Sequence, residues 1–417
     1  METPAESLPE EPTSKKLKTS PSYKTPKYKR RKIALFFAYC GAGYQGMQKN
    51  IGAKTIEADL EEALYLSAAI PEQDRGHPKR LDWSRSARTD KGVSAVCQVV
   101  SGSFYIDPPG LIDRLHRHLS SQFRVFGYKR VAPSFSAQRF CDRRRYVYLL
   151  PVFAFDLRGV LLNCERGNVV EGECDGNRFC YGEEEKERFN RILKCYEGTH
   201  NFHNFTTRIK AEDPSSQRFI VSFSASDTVV VDAIEFVKCQ VVGQSFMLHQ
   251  IRKMIGFAVL VMRNIVPESL IKIALQKDVN ITVPTAPEVG LFLDECFFTS
   301  YNKKWKEVHG ELSMKDYEKE AEEFKMKHIY SHIALKERKD RVVGLWLQSL
   351  NHENYSELSV ACSSKIANLK DSEVRRTTND KSSELEIAAD LKSPEVKVTT
   401  DALALKLKTA EVEVVVD

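Results

Sequence analysis

Residues 93–106, VSAVCQVVSGSFYI, limit the fold of this chain more than any other stretch. Apolar and β-branched residues fall on nearly both faces of an extended chain. A strand of that kind has to be covered on both sides and sit centrally in a sheet. IALFFAY at 33–39 and IEFVKCQVVG at 234–243 read as further strands. So do YKRVAPSFSAQRF at 128–140 and RRRYVYLLPVF at 143–153, where Arg144, Tyr146 and Tyr148 share one face by the two-residue period.

Helical patterns separate these strands. KTIEADLEEALYLSAAI at 54–70 has Thr55 as its N-cap, with apolar residues at 56, 60, 63, 64 and 66. PPGLIDRLHRHLS at 108–120 reads as a helix with proline at its start. Another helix is expected around 185–196, and SFMLHQIRKMIGFAVLVMRNI at 245–265 as a strongly amphipathic one. The charged stretch 302–330 reads as helices on the outside of the protein. Strands followed by helices, twice over, predict two α+β halves around one large sheet.

The 417 residues suffice for about two domains with tails. No apolar run approaches the roughly 18–20 residues of a membrane span, and METPAESLPEEP lacks the apolar core of a secretory signal. Ten cysteines form no C-x-x-C pair and read as free, mostly buried thiols; Cys164, Cys174 and Cys180 fit no common zinc module. The net charge is only +5, but its distribution is uneven. Residues 1–31 carry KKLK and most of KYKRRK among Pro, Ser and Thr, a composition that reads as a disordered basic arm or a nuclear address. Residues 156–184 read as an inserted loop, and 351–417 as a mostly disordered tail. Arg139, Arg143, Arg144 and Arg145 concentrate positive charge inside the folded part and favour an anionic partner.

Gly41, Gly43 and Gly46 satisfy G-x-G-x-x-G directly after a strand, which raises dinucleotide binding and an oxidoreductase. Eight residues separate Gly46 from the helix cap at Thr55, however, and no second strand ends in an acid about 20 residues on. The loop is better read as one that lets backbone approach another part of the protein, or a phosphate chain.

ARTDKGVSA at 87–95 is by itself a tight turn, with Asp90 and Gly92 supplying the geometry. Three other segments change that reading. Tyr146 follows a run of arginines, which suits base stacking beside phosphate contacts. His249 and Arg252 lie three residues apart on one helix face, against an apolar stripe of Met247, Ile251, Met254 and Ile255. An arginine so deep in an apolar helix calls for a buried carboxylate partner. The loop from Thr285 to Leu291 carries Pro287 and Gly290, and could hold Leu291 against a bound ring.

Taken in order, these segments resemble the TruA family of tRNA pseudouridine synthases. Arg88 to Ala95 matches its R-T-D-x-G-V-x-A motif; Phe246, His249 and Arg252 match F-x-x-H-x-x-R; Ala286 to Leu291 matches A-P-x-x-G-L; and Tyr146 follows the arginines as the family's tyrosine does. FAYCGAGYQGMQ resembles the family's first loop, with Met47 where bacterial members usually carry tryptophan. The likeness spans roughly residues 32–302, and the eukaryotic branch acting near tRNA positions 27 and 28 fits best.

The resemblance implies two ferredoxin-like (RRM-like) halves, 32–135 and 136–302, sharing a mostly antiparallel sheet with a central RNA-binding cleft. A helical extension at 303–350 follows. It implies isomerisation of uridine to pseudouridine without metal, nucleotide or redox cofactor. Asp90 becomes the essential carboxylate, Arg252 its ion-pair partner and Tyr146 the residue stacking on uracil. Arg88, Thr89, His249, Leu291, Arg139 and Arg143–Arg145 become RNA contacts. The expected partner is tRNA, with other structured RNA as the alternative, the expected state a monomer (with a homodimer as the alternative) and the expected location nuclear, with cytoplasm or mitochondrion as alternatives. The rival readings are a catalytically silent RNA-binding module and the dinucleotide-dependent oxidoreductase.

Overall fold

A computed structural model describes residues 28–156 and 179–350; most of the basic arm, most of the inserted loop and the tail lie outside them. The described residues form an α+β fold around a nine-stranded mixed sheet. Its strands are β1 (Arg31–Tyr39), β2 (Ser84–Arg85), β3 (Ser94–Phe104), β4 (Phe123–Arg130), β5 (Arg143–Pro151), β6 (Gly198–Asn201), β7 (Gln217–Val231), β8 (Ile234–Gly243) and β9 (Leu291–Phe297). They run in the order β4-β1-β3-β9-β5-β8-β7-β6, with β2 added to β3.

β3 is central, as its apolar run requires, and all but one of its residues are buried. It pairs antiparallel with β1 and parallel with β9, through Ser94 opposite Phe292 and Ala95 opposite Leu293. The remaining neighbours pair antiparallel. Because β3 and β9 are parallel, both begin at the same edge of the sheet. The segments leading into them, Arg88–Gly92 and Ala286–Gly290, therefore emerge side by side.

Helix α1 (Ile56–Leu66) begins as the sequence predicts, with the Thr55 hydroxyl accepting from the Ala58 amide. Helix α2 (Leu111–His118) starts later than its prolines suggest: Gly110, at φ 88°, is the cap. The run 128–140 is not one strand; β4 ends at Arg130 and turns follow, around Pro133. Helix α3 (Glu183–Lys194) precedes β6, and α4 (Gln250–Met262) follows β8. α4 is buried almost all round, Arg252 and Lys253 being the partial exceptions, so it is a core helix rather than an amphipathic surface one. A short α5 (Leu270–Ala274) precedes β9.

The segment after β9 covers one face of the sheet instead of lying outside the fold. Helix α6 (Thr299–His309) leads to α7 (Glu318–Phe324), a π-helical turn at Lys325–Tyr330, α8 (Ser331–Asp340) and α9 (Val342–Gln348). Tyr317 packs on Phe36 and Phe126, and Tyr330 on Phe292. Phe324, Ile329, Tyr330 and Ile333 are buried, so the charges of 302–330 line the water side of an apolar seam. No helix among the described residues is long and apolar enough to cross a membrane.

Candidate active site

The Asp90 turn is held by backbone bonds from several directions. Gly92 takes φ 76°, and the Val93 amide donates to the Asp90 carbonyl at 3.2 Å, closing the bend. Gly92 N–H donates to the Tyr44 carbonyl and Met47 N–H to the Thr89 carbonyl, both at 3.1 Å. Fully buried Gln98 spans Ala87, accepting from its amide at 3.1 Å and donating to its carbonyl at 3.0 Å. Tyr39 and Thr89 share a hydroxyl–hydroxyl bond of 2.7 Å. Thr89 is therefore a buried anchor of the turn.

The glycines of the first loop belong to the same assembly. A Cβ on Gly41 would lie 2.5 Å from the Val93 carbonyl oxygen, and one on Gly46 2.8 Å from that of Thr89. Backbone approach to the Asp90 turn explains these glycines without a nucleotide.

The opposite flank consists of side chains. Asp90 is half-buried, with His249 Nε2 at 4.0 Å from its carboxylate. Burial pushes the Asp90 carboxyl up, while His249, when it is protonated, and Arg252 pull it down. Burial lowers the His249 imidazole, with Asp90 opposing, so the ring stays neutral near pH 7.

His249 is not on the helix, contrary to the spacing argument. It caps α4 in the left-handed conformation (φ 61°), because the chain at 245–249 turns and the Gln250 side chain accepts from the Met247 amide at 2.9 Å. The turn 198–206 buttresses this corner. Thr206 donates to the Leu248 carbonyl at 2.9 Å, Lys253 donates to the carbonyls of Asn204 and Thr206, and His203 is tied to Asn201 and the Val279 carbonyl.

Arg252 is the main correction. Its guanidinium pairs directly with Glu288 at 3.0 Å and donates from Nε to the Ala286 carbonyl at 2.7 Å, while the Ala286 amide returns a bond to the Arg252 carbonyl. No direct ion pair joins it to Asp90 among the described residues, and it reaches that carboxylate only through its field. The helix arginine did need a carboxylate, but two were in range and the nearer one belongs to the 286–290 loop.

Tyr146 is buried, its ring edge-on to Phe246 at 5.3 Å, and burial pushes its hydroxyl far up, so it stays protonated. Tyr148, two residues on, donates to the Pro287 carbonyl at 2.9 Å and fixes the loop before β9. Leu291 opens that strand and is 6 % exposed.

The four arginines separate by role. Arg144 donates to the carbonyls of Ser86, Cys141 and Gln244, clamping the chain that leads into the Asp90 turn to the chain after β8. Arg145 is neutralised by Asp294 at 2.6 Å and Glu295 at 2.7 Å. Those two guanidiniums are committed within the protein, against the expectation of four phosphate contacts. Arg143, bonded to Thr299, is partly exposed, and Arg139 is exposed, as is Arg88 beside the turn. Glu288, Gln98 and Tyr39 are members of the site that sequence reasoning did not name. A carboxylate inside A-P-x-x-G-L was the available signal for the first.

An accessible carboxylate raised by burial, a tyrosine ring beside it and exposed arginines outside make a site for acid–base or nucleophilic work on an anionic polymer. The tRNA pseudouridine synthase family model matches residues 192–299, which include His249, Arg252 and the 286–291 loop. Pseudouridylate synthase 1 homolog of Homo sapiens is 39 % identical, over 78 % of this chain and 74 % of its own length. The mouse protein of that name is 38 % identical, over 81 % and 77 %. tRNA pseudouridine synthase 1 of Yarrowia lipolytica is 33 % identical, over 75 % and 72 %. The chain belongs to the TruA-type tRNA pseudouridine synthase family and is an isomerase acting on RNA.

Proposed function

We propose that this enzyme isomerises uridines of tRNA to pseudouridine, at anticodon-stem positions near 27 and 28, with Asp90 as the essential carboxylate. The observation that carries the assignment is the half-buried Asp90, facing His249 at 4.0 Å and lying within the field of Arg252. The reaction breaks the N-glycosidic bond, turns the detached uracil and joins its C5 to the sugar, C5 giving up its proton and the freed N1 taking one up. Asp90 acts on sugar or base as nucleophile or base, which requires it ionised. Tyr146 supplies a face for the detached ring, and Leu291 closes the site below it.

A stem uridine has to be flipped out, at a cost of a few kcal/mol. Arg88 fills the space it leaves or holds the flipped backbone, a role that its exposure beside the turn supports. Arg139 and Arg143 are the phosphate contacts of this cleft, so binding weakens with salt. The strand order supports two ferredoxin-like halves, β4-β1-β3 and β5-β8-β7-β6, joined through β9. The printed names of the relatives support tRNA as substrate. The basic arm supports a nuclear location, and a monomer suffices, since one chain carries the whole constellation.

Pseudouridine mapping at nucleotide resolution in tRNA treated with the enzyme tests the reading. New pseudouridines at 27 and 28 are expected; modification confined to other stems or loops contradicts the site assignment.

A further inference from the structure

Glu288 is a charged neighbour of Asp90 that the reaction as described does not use. It lies on the loop before β9, 44 % exposed, with its carboxylate 3.0 Å from Arg252. Its Cγ would sit 3.2 Å from a Cβ on Gly92, so it reaches over the catalytic turn itself. Arg252, 13 % exposed, is thus shared by two carboxylates: in contact with Glu288 and acting on Asp90 by its field alone. We propose that Glu288 is a positioning residue that holds Arg252 back from Asp90 and so keeps the catalytic carboxylate basic. This rests on the reading of Asp90 as the catalytic group.

A carboxylate in tight contact with a guanidinium ionises easily but becomes a weak base. A carboxylate left in a dry site with no cation resists ionisation altogether. Glu288 sets a point between these limits, through its hold on Arg252 and through its own negative charge, which raises Asp90. The other groups facing Asp90 are His249 at the α4 cap and Tyr146 on β5; Arg88 and Lys91, on its own turn, are exposed. Lys253 is turned away, onto the carbonyls of Asn204 and Thr206.

The test is the pH profile of kcat/KM, which reports the free enzyme, on a tRNA transcript. In Glu288→Gln the acid limb moves to lower pH while the plateau falls, so activity on the limb, normalised to the plateau, rises at least about twofold. Glu288→Asp restores the wild-type limb. The shift persists in a His249→Gln background, which removes the other titrating neighbour. A plateau that falls with an unmoved limb assigns Glu288 a merely structural role and overturns the proposal. So does a shift that disappears without His249. Asp90→Asn, run in parallel, separates the two readings. An inactive Asp90→Asn with an unmoved Glu288→Gln limb removes this inference alone, whereas an active Asp90→Asn removes the catalytic assignment beneath it.

Discussion

The two flanks of the Asp90 turn are built from different materials. Toward the first strand, Gly41, Gly46, Tyr44 and Met47 meet the turn through backbone, and Gln98 and Tyr39 secure it from the buried core. Toward α4 and β9, His249, Arg252 and Glu288 face it with titratable or charged side chains. The first flank fixes where the carboxylate stands and the second fixes how readily it holds a proton. Position tolerates no added atoms, whereas charge tolerates adjustment.

That contrast can be broken by substitution. The largest effect is expected from Gly41→Ala, whose Cβ meets the Val93 backbone and cannot be accommodated by a side-chain rotation. It should cost about 1–3 kcal/mol by overpacking and displace the turn, lowering Tm and kcat together. Chemical denaturation and single-turnover rates check this; an unchanged Tm removes the steric argument. Gln98→Leu leaves the Ala87 amide and carbonyl buried without their partner and should cost roughly 1–3 kcal/mol, again with activity and stability falling together.

Arg144→Ala comes next. It frees carbonyls that are partly reached by water, so stability should fall by less than about 2 kcal/mol while kcat drops as the clamp on Ser86 loosens. Retained RNA affinity would distinguish this clamp from a phosphate contact. The smallest effect lies on the charged flank and has the opposite sign. Burial raises the Asp90 carboxyl in the folded protein, so its ionisation costs stability above the unfolded value and costs nothing below it. Asp90→Asn should therefore raise Tm slightly at pH 7, and the gain should vanish as pH falls below the carboxylate range. A loss of Tm at pH 7 would contradict the burial argument.

How legible each part was in the sequence follows from how local its cause is. The centrality of β3 and the Thr55 cap were readable because burial on both faces and a hydroxyl at an N-cap leave marks within a few residues. The 15-residue β7 escaped notice because it lies in an exposed part of the sheet, where Ser, Asp and Thr break its alternation. β9 escaped because Asp294 and Glu295 interrupt it, and their partner Arg145 comes from the neighbouring strand. The same non-local logic misled the reading of Arg252. Its need for a carboxylate was visible, but the choice of Glu288 over Asp90 depends on loops brought together by the parallel pairing of β3 with β9. Asp90 itself became legible only when several weak segments were read together.

The central claim is that Asp90 performs the chemistry while its neighbours hold and tune it. The most direct measurement follows release of the C5 hydrogen from tRNA labelled with tritium at uridine C5, under single-turnover conditions, for the wild type and Asp90→Asn, with tRNA affinity measured on the same preparations. The account predicts full release by the wild type and none above background by Asp90→Asn, with affinity retained. Tritium release by Asp90→Asn at a rate near the wild type would contradict it.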